Sequence, residues 1–367
     1  MLSRLENTPA LRWLGKQLFN RDDPSAFFDP LLAAVNPMWV RQYVPARVVA
    51  LRDETADTRT FVLAPARRWG GFVAGQHVSV GVEIDGVRHQ RTFSLSSSPR
   101  QWRRDGTVTL TIKRFPGGLV TNWMHDHLEA GSVIGLGEAF GDFRLPDNPQ
   151  PLLYIAGGSG ITPVLSQLET LAAEGYDAPV TLLYYVRSQA DVIGADTLYA
   201  LRQNWPALDL RVIHTEQGER PELLHAGHLK PIAQLAERQC YLCGPKGLMD
   251  LATGLLQDAG ITEDQLHSTF FSVPKAALAG DDLGGEVSFS RSQTGVHSSG
   301  DTPLLEIAEA ARLSPRYGCR MGICHQCACR KTSGTVVNRL TGKASGPGEE
   351  TIQLCISVPQ GPVTIDL

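Results

Sequence analysis

The spacing of apolar residues changes character three times along the chain. Over residues 1–40 they are scattered, with Leu11, Leu14 and Leu18 at helical spacing beside Trp13 and Phe19, and the pattern breaks at RDDPSAFFDP. From 43 to about 145 the runs are short and rich in β-branched residues, as in ARVVALRDE, RTFVL, HVSVGVEI and GTVTLTIKRF. Gly and Pro punctuate them, which predicts an antiparallel β-barrel. From PLLYIAGGSGITPVLSQLETLAAEG onward, apolar strand, Gly turn and helical period repeat through PVTLLYYV, LDLRVIHTE and QCYLCGP, which predicts an α/β domain with a parallel sheet. PKAALAGDDLGG has neither period and reads as a linker. The expected division is an extension (1–40), a barrel domain (41–147), an α/β domain (148–273), a linker (274–284) and a C-terminal module (285–367).

Length supports a multidomain reading, because single cores stop growing at roughly 250–300 residues and this chain has 367. With 42% hydrophobic and 20% charged residues the composition is that of a folded protein. A net charge of −4 leaves no basic excess to neutralise phosphates, so nucleic acid is not an expected partner. No apolar run approaches the roughly 20 residues of a membrane span, and the N-terminus shows no signal-peptide core. The expected compartment is therefore the cytoplasm. Thiols stay reduced there, so seven cysteines point to metal binding or chemistry before disulfides.

Four of those cysteines fall in YGCRMGICHQCACR. Cys319, Cys324 and Cys327 give C-x4-C-x2-C, and Cys355 follows 28 residues later, the plant-type 2Fe-2S spacing. Thiolates are soft, charged donors that suit iron. Zinc is the competing reading, but its ligands usually come as two comparable C-x2–4-C pairs. Cys329 reads as a buried, unligated thiol. The module GEVSFSRSQTGVHSSGDTPLLEIAEAARLSPRYGCRMGICHQCACRK…TIQLCISVP resembles a plant-type ferredoxin. That resemblance implies an α+β fold with two opening strands, a helix over LLEIAEAARL and the four cysteines as cluster ligands. His325 stands where the family usually has Gly, and Met321 lies within the loop.

Two further motifs extend the resemblance to ferredoxin-reductase-type flavoproteins. RTFSLSSSP resembles their Arg-x-(Tyr/Phe)-Ser strand. By itself Phe93 reads as barrel core. The resemblance implies Arg91 on a flavin phosphate, Phe93 against the isoalloxazine and Ser94 near its redox-active nitrogen, with Thr92 between them. In TIKRFPGGLVTNWMHDHL a glycine turn feeds a helix start, an arrangement that binds anions. The resemblance assigns Lys113, Gly117, Gly118, Val120 and Thr121 to the flavin. The order of motifs implies FAD, with FMN as the alternative. In YIAGGSGITPVLSQL, small residues let a dinucleotide pyrophosphate approach the backbone. Gly157, Gly158, Ser159, Gly160, Thr162 and Pro163 are the candidates. CYLCGPKGLM resembles the family's C-G-P turn, which implies Cys243 beside the nicotinamide, with Gly244 and Pro245 shaping the turn. Cys240 has no such match and reads as strand core. Ser94 and Cys243 are the catalytic assignments. The Glu-x-aromatic segment that often ends such reductases is replaced by HSTFFSVP, with Thr269 and Phe270, leaving Phe271 to cover the ring.

His125 and His127 look like a metal pair, but residues two apart on a helix do not share a face, so both read as solvated. Arg316, Arg320, Arg330 and Lys331 form a basic group around the cluster and a candidate docking surface. The parts imply an NAD(P)H-dependent oxidoreductase in which electrons pass through FAD and a 2Fe-2S cluster to a protein acceptor. Arg187 and Ser188 after LLYYV lean the donor towards NADPH rather than NADH. The stretch FFDPLLAAVNPMW resembles the extension of reductases paired with membrane fatty-acid desaturases or hydroxylases. That extension either contacts the inner face of the membrane or packs on its own barrel. A soluble ring-hydroxylating or acyl-CoA oxygenase is the alternative acceptor, and a flavin and iron–sulfur redox sensor is the alternative of another class.

Overall fold

A computed structural model describes residues 25–41, 43–146, 150–216, 222–269, 271, 283–300, 302–313, 315–317, 320, 322 and 325–367. The leucines expected at helical spacing near the N-terminus and most of the expected linker lie outside these residues. Helix α1 (Ser25–Val35) begins inside the stretch where the sequence suggested a break and continues beyond it. Both Asp29 carboxylate oxygens accept the Arg41 backbone N–H, at 2.9 and 3.0 Å, which folds the chain back towards the first sheet.

That sheet contains β1 (Val44–Thr55), β2 (Thr58–Pro65), β3 (His77–Ile84), β4 (Val87–Ser94), β5 (Val108–Lys113) and β6 (Val133–Phe140). Its order is β4-β3-β6-β1-β2-β5, all antiparallel, and a Leu95–Leu110 bridge closes it into a barrel. Alternation explains the packing: Val78, Val80, Val82 and Ile84 of β3 point inward with Phe61 and Leu63 of β2. The β3–β4 hairpin turns on Asp85 and Gly86, both at positive φ, the Asp-Gly pair that a tight hairpin favours. Helices α2 (Pro99–Asp105) and α3 (Leu119–His127) flank the barrel.

The second sheet is parallel, with β7 (Leu152–Gly157), β8 (Val180–Val186), β9 (Leu208–His214), β10 (Gln239–Cys243) and β11 (Leu266–Thr269) in the order β11-β10-β7-β8-β9. Every residue of β7 and β8 is buried because both faces are covered. Tyr154, Leu182 and Tyr184 join one core cluster; Leu153, Ile155 and Leu183 join the other. Its helices are α4 (Ile161–Ala173), α5 (Ala195–Asn204), α6 (Ala226–Leu229) and α7 (Lys246–Asp258).

The third sheet has β12 (Gly284–Phe289), β13 (Thr294–Ser299), β14 (Ala328–Asn338), β15 (Glu350–Gln353) and β16 (Ser357–Ile365) in the order β13-β12-β16-β14-β15. Leu304, Leu305, Ile307 and Ala308 of α8 (Leu304–Ala310) join its core. Among the described residues no helix is long and apolar enough to cross a membrane.

Two expectations about charge fail. His125 is buried on the inner side of α3: its Nε2 lies 2.8 Å from the Ile112 carbonyl oxygen, and Phe61 meets its ring edge-on. Burial pushes its pKa down. The basic group around the cluster is not a docking surface of four open cations. Arg320 pairs with Glu309, and Arg330 with Glu349 and Asp366. Lys331 is wholly buried, with Nζ donating to the carbonyls of Gly334 at 2.8 Å, Gly346 at 2.9 Å and Gly348. Only Arg316 of the four is exposed without such a partner among the described residues. Replacing Lys331 by Met strands those carbonyls and is expected to cost the third domain about 3 kcal/mol. In urea, the cluster's visible absorbance should then disappear at a lower midpoint than in the wild type; an unchanged midpoint would make the three bonds dispensable.

Candidate functional site

Strand β4 carries the predicted flavin residues, and its pairing with β3 sets their directions. Arg91 and Phe93 lie opposite Val80 and Val78, on the core side, and Ser94 lies opposite His77. Arg91 is half-buried. Among the described residues its guanidinium bonds only to the Gln90 carbonyl, at 2.7 Å. Burial, followed by the positive charge of Arg320, lowers its pKa. A partly desolvated cation facing another cation is stabilised by an anion placed between or beside them. Nearby, Gly118 caps α3 without a side-chain hydrogen bond, so the first-turn N–H groups are open to a ligand. Thr121 Oγ1 accepts the Phe115 N–H at 3.3 Å, and a Cβ on Gly118 would lie 2.6 Å from that oxygen. Gly117 has φ +72°. Phe93 is half-buried at the core's edge. These features fit a phosphate-bearing flavin. Three assigned side chains point elsewhere: Thr92 lies opposite Ser79 on the other face of β4, Lys113 pairs with Asp57 at 3.1 Å, and Val120 is packed in the barrel core.

The nucleotide motif forms a turn between β7 and α4, pressed against the turn after β10. A Cβ on Gly160 would stand 2.1 Å from the Cys243 carbonyl oxygen, and one on Gly157 would stand 2.8 Å from Pro245. Only glycine allows this approach. Gly158, at φ +52°, has open space where a side chain would project. Thr162 Oγ1 donates to the Ser159 carbonyl at 3.0 Å, and Tyr184 donates to that of Gly158 at 3.1 Å. Ser159 sits half-buried in the turn, while Thr162 and Pro163 are buried in the first turn of α4. A tight, open glycine turn at a helix start fits a dinucleotide. Gly244 continues the touching turn. Cys243 is fully buried, and burial pushes its thiol pKa up, so it is neutral at ordinary pH. Cys240 is strand core, its thiol pushed up to about 12. Phe271 is exposed just beyond β11. Arg187 and Ser188 both bind Asp191.

Of the cluster cysteines, Cys327 precedes β14 and Cys355 lies between β15 and β16; Cys319 and Cys324 lie outside the described residues, as do Met321 and Phe270. The Cys327 and Cys355 sulfurs are buried 3.2 Å apart. That exceeds a disulfide of about 2.05 Å and approaches the spacing of about 3.8 Å that two thiolates take on a tetrahedral metal with bonds near 2.3 Å. The Leu354 N–H donates to the Cys327 carbonyl at 3.1 Å, joining the two ligand segments. This donor pair fits the cluster. Cys329 stands apart on β14, half-buried, with Sγ 3.6 Å from the Asp366 carbonyl oxygen.

Contacts between domains bring these pieces together. On the nucleotide side, the Ser98 N–H donates to Glu169 at 3.0 Å and Ser166 Oγ donates to the Ser97 carbonyl at 2.6 Å, just beyond β4. On the cluster side, Arg320, Tyr317 and Glu309 act electrostatically on Arg91. Sequence spacing missed this second group. It also missed His77, which is buried opposite Ser94 with an unpartnered Nε2 and a pKa pushed by burial down to about 4.

The architecture is that of a modular flavin and iron–sulfur reductase. Residues 45–144 match the oxidoreductase FAD-binding domain family, 154–253 the oxidoreductase NAD-binding domain family and 290–360 the 2Fe-2S iron-sulfur cluster binding domain family. The chain is similar to an NADPH oxidoreductase of Mycobacterium tuberculosis, with 34% identity over 343 residues covering 92% of this chain and 88% of that one. It is 29% identical to a glycine betaine monooxygenase reductase subunit of Pseudomonas aeruginosa, over 93% of this chain and 99% of that one. Its fold superimposes on phthalate dioxygenase reductase with a TM-score of 0.65 at 22% identity, covering 89% and 98%. The chain belongs to the ferredoxin-reductase family of FAD- and NAD(P)-binding oxidoreductases that carry a C-terminal 2Fe-2S ferredoxin domain. Its cofactors are FAD and the 2Fe-2S cluster, with NAD(P)H as the donor. Bound FAD supplies the exchange between a two-electron hydride and one-electron transfers.

The contact between the two nucleotide-side turns is directly testable. Gly160→Ala forces the Cys243 main chain to move, so NAD(P)H oxidation should fall at least about 100-fold. Flavin and cluster absorbance should persist, as checked by steady-state kinetics beside visible spectra. Near-normal turnover would show that the turns need not touch.

Proposed function

We propose that this chain is the reductase component of an oxygen-activating system, delivering single electrons to a separate protein acceptor. The observation that carries the reading is the union of FAD-, NAD- and 2Fe-2S-binding domains in one chain, with the strand that carries Arg91 tied to the nucleotide-side helix through Ser97 and Ser98. In this reading Arg91, Phe93, Ser94, Gly117, Gly118 and Thr121 hold FAD, and Gly157 to Pro163 with Gly244 and Pro245 hold the nucleotide. Cys243 would lie beside the nicotinamide as a neutral thiol. Cys319, Cys324, Cys327 and Cys355 bind the cluster. NADPH is the favoured donor, supported by the name of the 34%-identical relative and by Arg187 and Ser188 at the end of β8.

The favoured acceptor is a membrane fatty-acid desaturase or hydroxylase. Leu31, Val35 and Trp39 are exposed at 64, 73 and 53% and recur every four residues from α1 onward. Such a stripe suits the boundary of a bilayer, and the aromatic end suits its interface. A soluble oxygenase is the second reading, favoured by the relative named as a glycine betaine monooxygenase reductase subunit.

Cys324→Ser should abolish electron delivery to a one-electron protein acceptor while sparing NADPH oxidation by dichlorophenolindophenol; parallel loss of both activities contradicts the order of carriers. For the membrane, intact protein should co-sediment with anionic liposomes more than a chain lacking residues 1–40. Equal partitioning of the two would leave the soluble oxygenase as the acceptor class.

A further inference from the structure

Away from both cofactor cradles, one recess brings Arg68 and Arg88 together beside a buried hydroxyl. It is a cavity of about 410 Å³ on the outer face of the barrel. Arg41 and Tyr43 from the chain leading into β1, Arg68, the outward positions of β3, β4 and β6, and Gln326 of the cluster loop meet there. The floor is largely backbone, because Gly81, Gly135 and Gly137 occupy outward positions. A Cβ on Gly81 or Gly135 would lie 2.8 or 2.6 Å from Arg88 Nη2, so the glycines make room for that guanidinium. Arg88 is braced over the Tyr43 ring at 3.9 Å. Arg68 is anchored through Nη2 on the carbonyls of Val40 and, at 2.6 Å, Tyr43, which leaves the rest of its fork directed to other partners. Ser79 is buried in the same wall, and its Oγ has no hydrogen-bond partner.

Apart from Arg41, the described lining offers the guanidinium groups of Arg68 and Arg88, the Ser79 hydroxyl and the side-chain amides of Gln90 and Gln326, all able to donate, beside the carboxylate of Glu138. Like charges held in one recess repel, and a shared oxyanion turns that repulsion into charge-assisted hydrogen bonds. The recess is separate from the flavin cradle: Arg88 and Gln90 lie on the opposite face of β4 from Arg91 and Phe93.

We propose that this recess binds a multivalent oxyanion of the phosphate class, held by Arg68, Arg88 and Ser79 and closed by Gln326. Gln326 immediately precedes the ligand Cys327. An occupant therefore ties the cluster loop to the barrel beside β4 and sets how firmly the third domain rests on the flavin strand.

The probe is sodium pyrophosphate, titrated calorimetrically into the full chain with FAD and cluster bound. Saturating NADP+ fills the nucleotide cradle, and ionic strength is matched with sodium chloride. Wild type should give a saturable heat, Arg88→Met should weaken binding by at least about tenfold, and Gln326→Ala should weaken it several-fold. Visible spectra should be unchanged in both variants. The absence of a saturable heat in the wild type, or equal affinity in wild type and Arg88→Met, overturns the site. Should Arg88→Met lose its flavin, the exposed Gln326→Ala decides alone: weakened binding supports the recess, and unaltered binding refutes it.

Discussion

A hydride brings two electrons and an iron–sulfur cluster takes one, so the flavin strand has to be held from two sides at once. Strand β4 meets that constraint. Beyond its C-terminal end, Ser97 and Ser98 are hydrogen-bonded to Ser166 and Glu169 of α4, the same helix whose start forms the nucleotide turn. A displacement of that helix is therefore transmitted to β4 through two of its side chains, Ser166 and Glu169, bonded directly to backbone groups just beyond the strand. Glu169 is itself desolvated, which raises its pKa, and its bond to the Ser98 N–H opposes that rise. On the other side the link is electrostatic, between Arg91 and the charges of the third domain, and it is softer because it acts without a direct hydrogen bond among the described residues. The nucleotide side is thus joined by direct hydrogen bonds and the cluster side by charge.

What the sequence disclosed follows the same division. The cysteine spacing, the GGSGITP turn and the RTFS strand were legible because their chemistry requires particular residue types at short separation. The three-sheet fold was legible because the apolar period changes with each domain, from alternating strands to fully buried ones. What escaped depends on groups brought together from distant parts of the chain. Charge counting could not show that Arg330 faces Glu349 and Asp366, or that Lys331 turns inward to three carbonyls. The local helix pattern of α3 correctly separated His125 from His127 but could not say that the first would lie against Phe61 and the Ile112 carbonyl. The segment RDDPSAFFDP misled in part for a different reason: Pro30 is strong local punctuation, yet α1 starts at Ser25 and runs past it to Val35.

Backbone strain in the cluster loop has a use that composition conceals. Arg320 and His325 both take left-handed φ, +57° and +54°, which costs a non-glycine residue about 1 kcal/mol or more. For His325 this explains why the related ferredoxins favour glycine there, and histidine is among the side chains that tolerate the region better than most. For Arg320 the compensation is visible. Its guanidinium stacks over Tyr317 at 4.2 Å and pairs with Glu309 of α8, fastening the loop to the helix that packs on the third sheet. Glycine at this position would relax the backbone and remove the cation that acts on Arg91. The left-handed turn is thus tolerated because the arginine, stacked on Tyr317 and paired with Glu309, joins the cluster loop to its own domain.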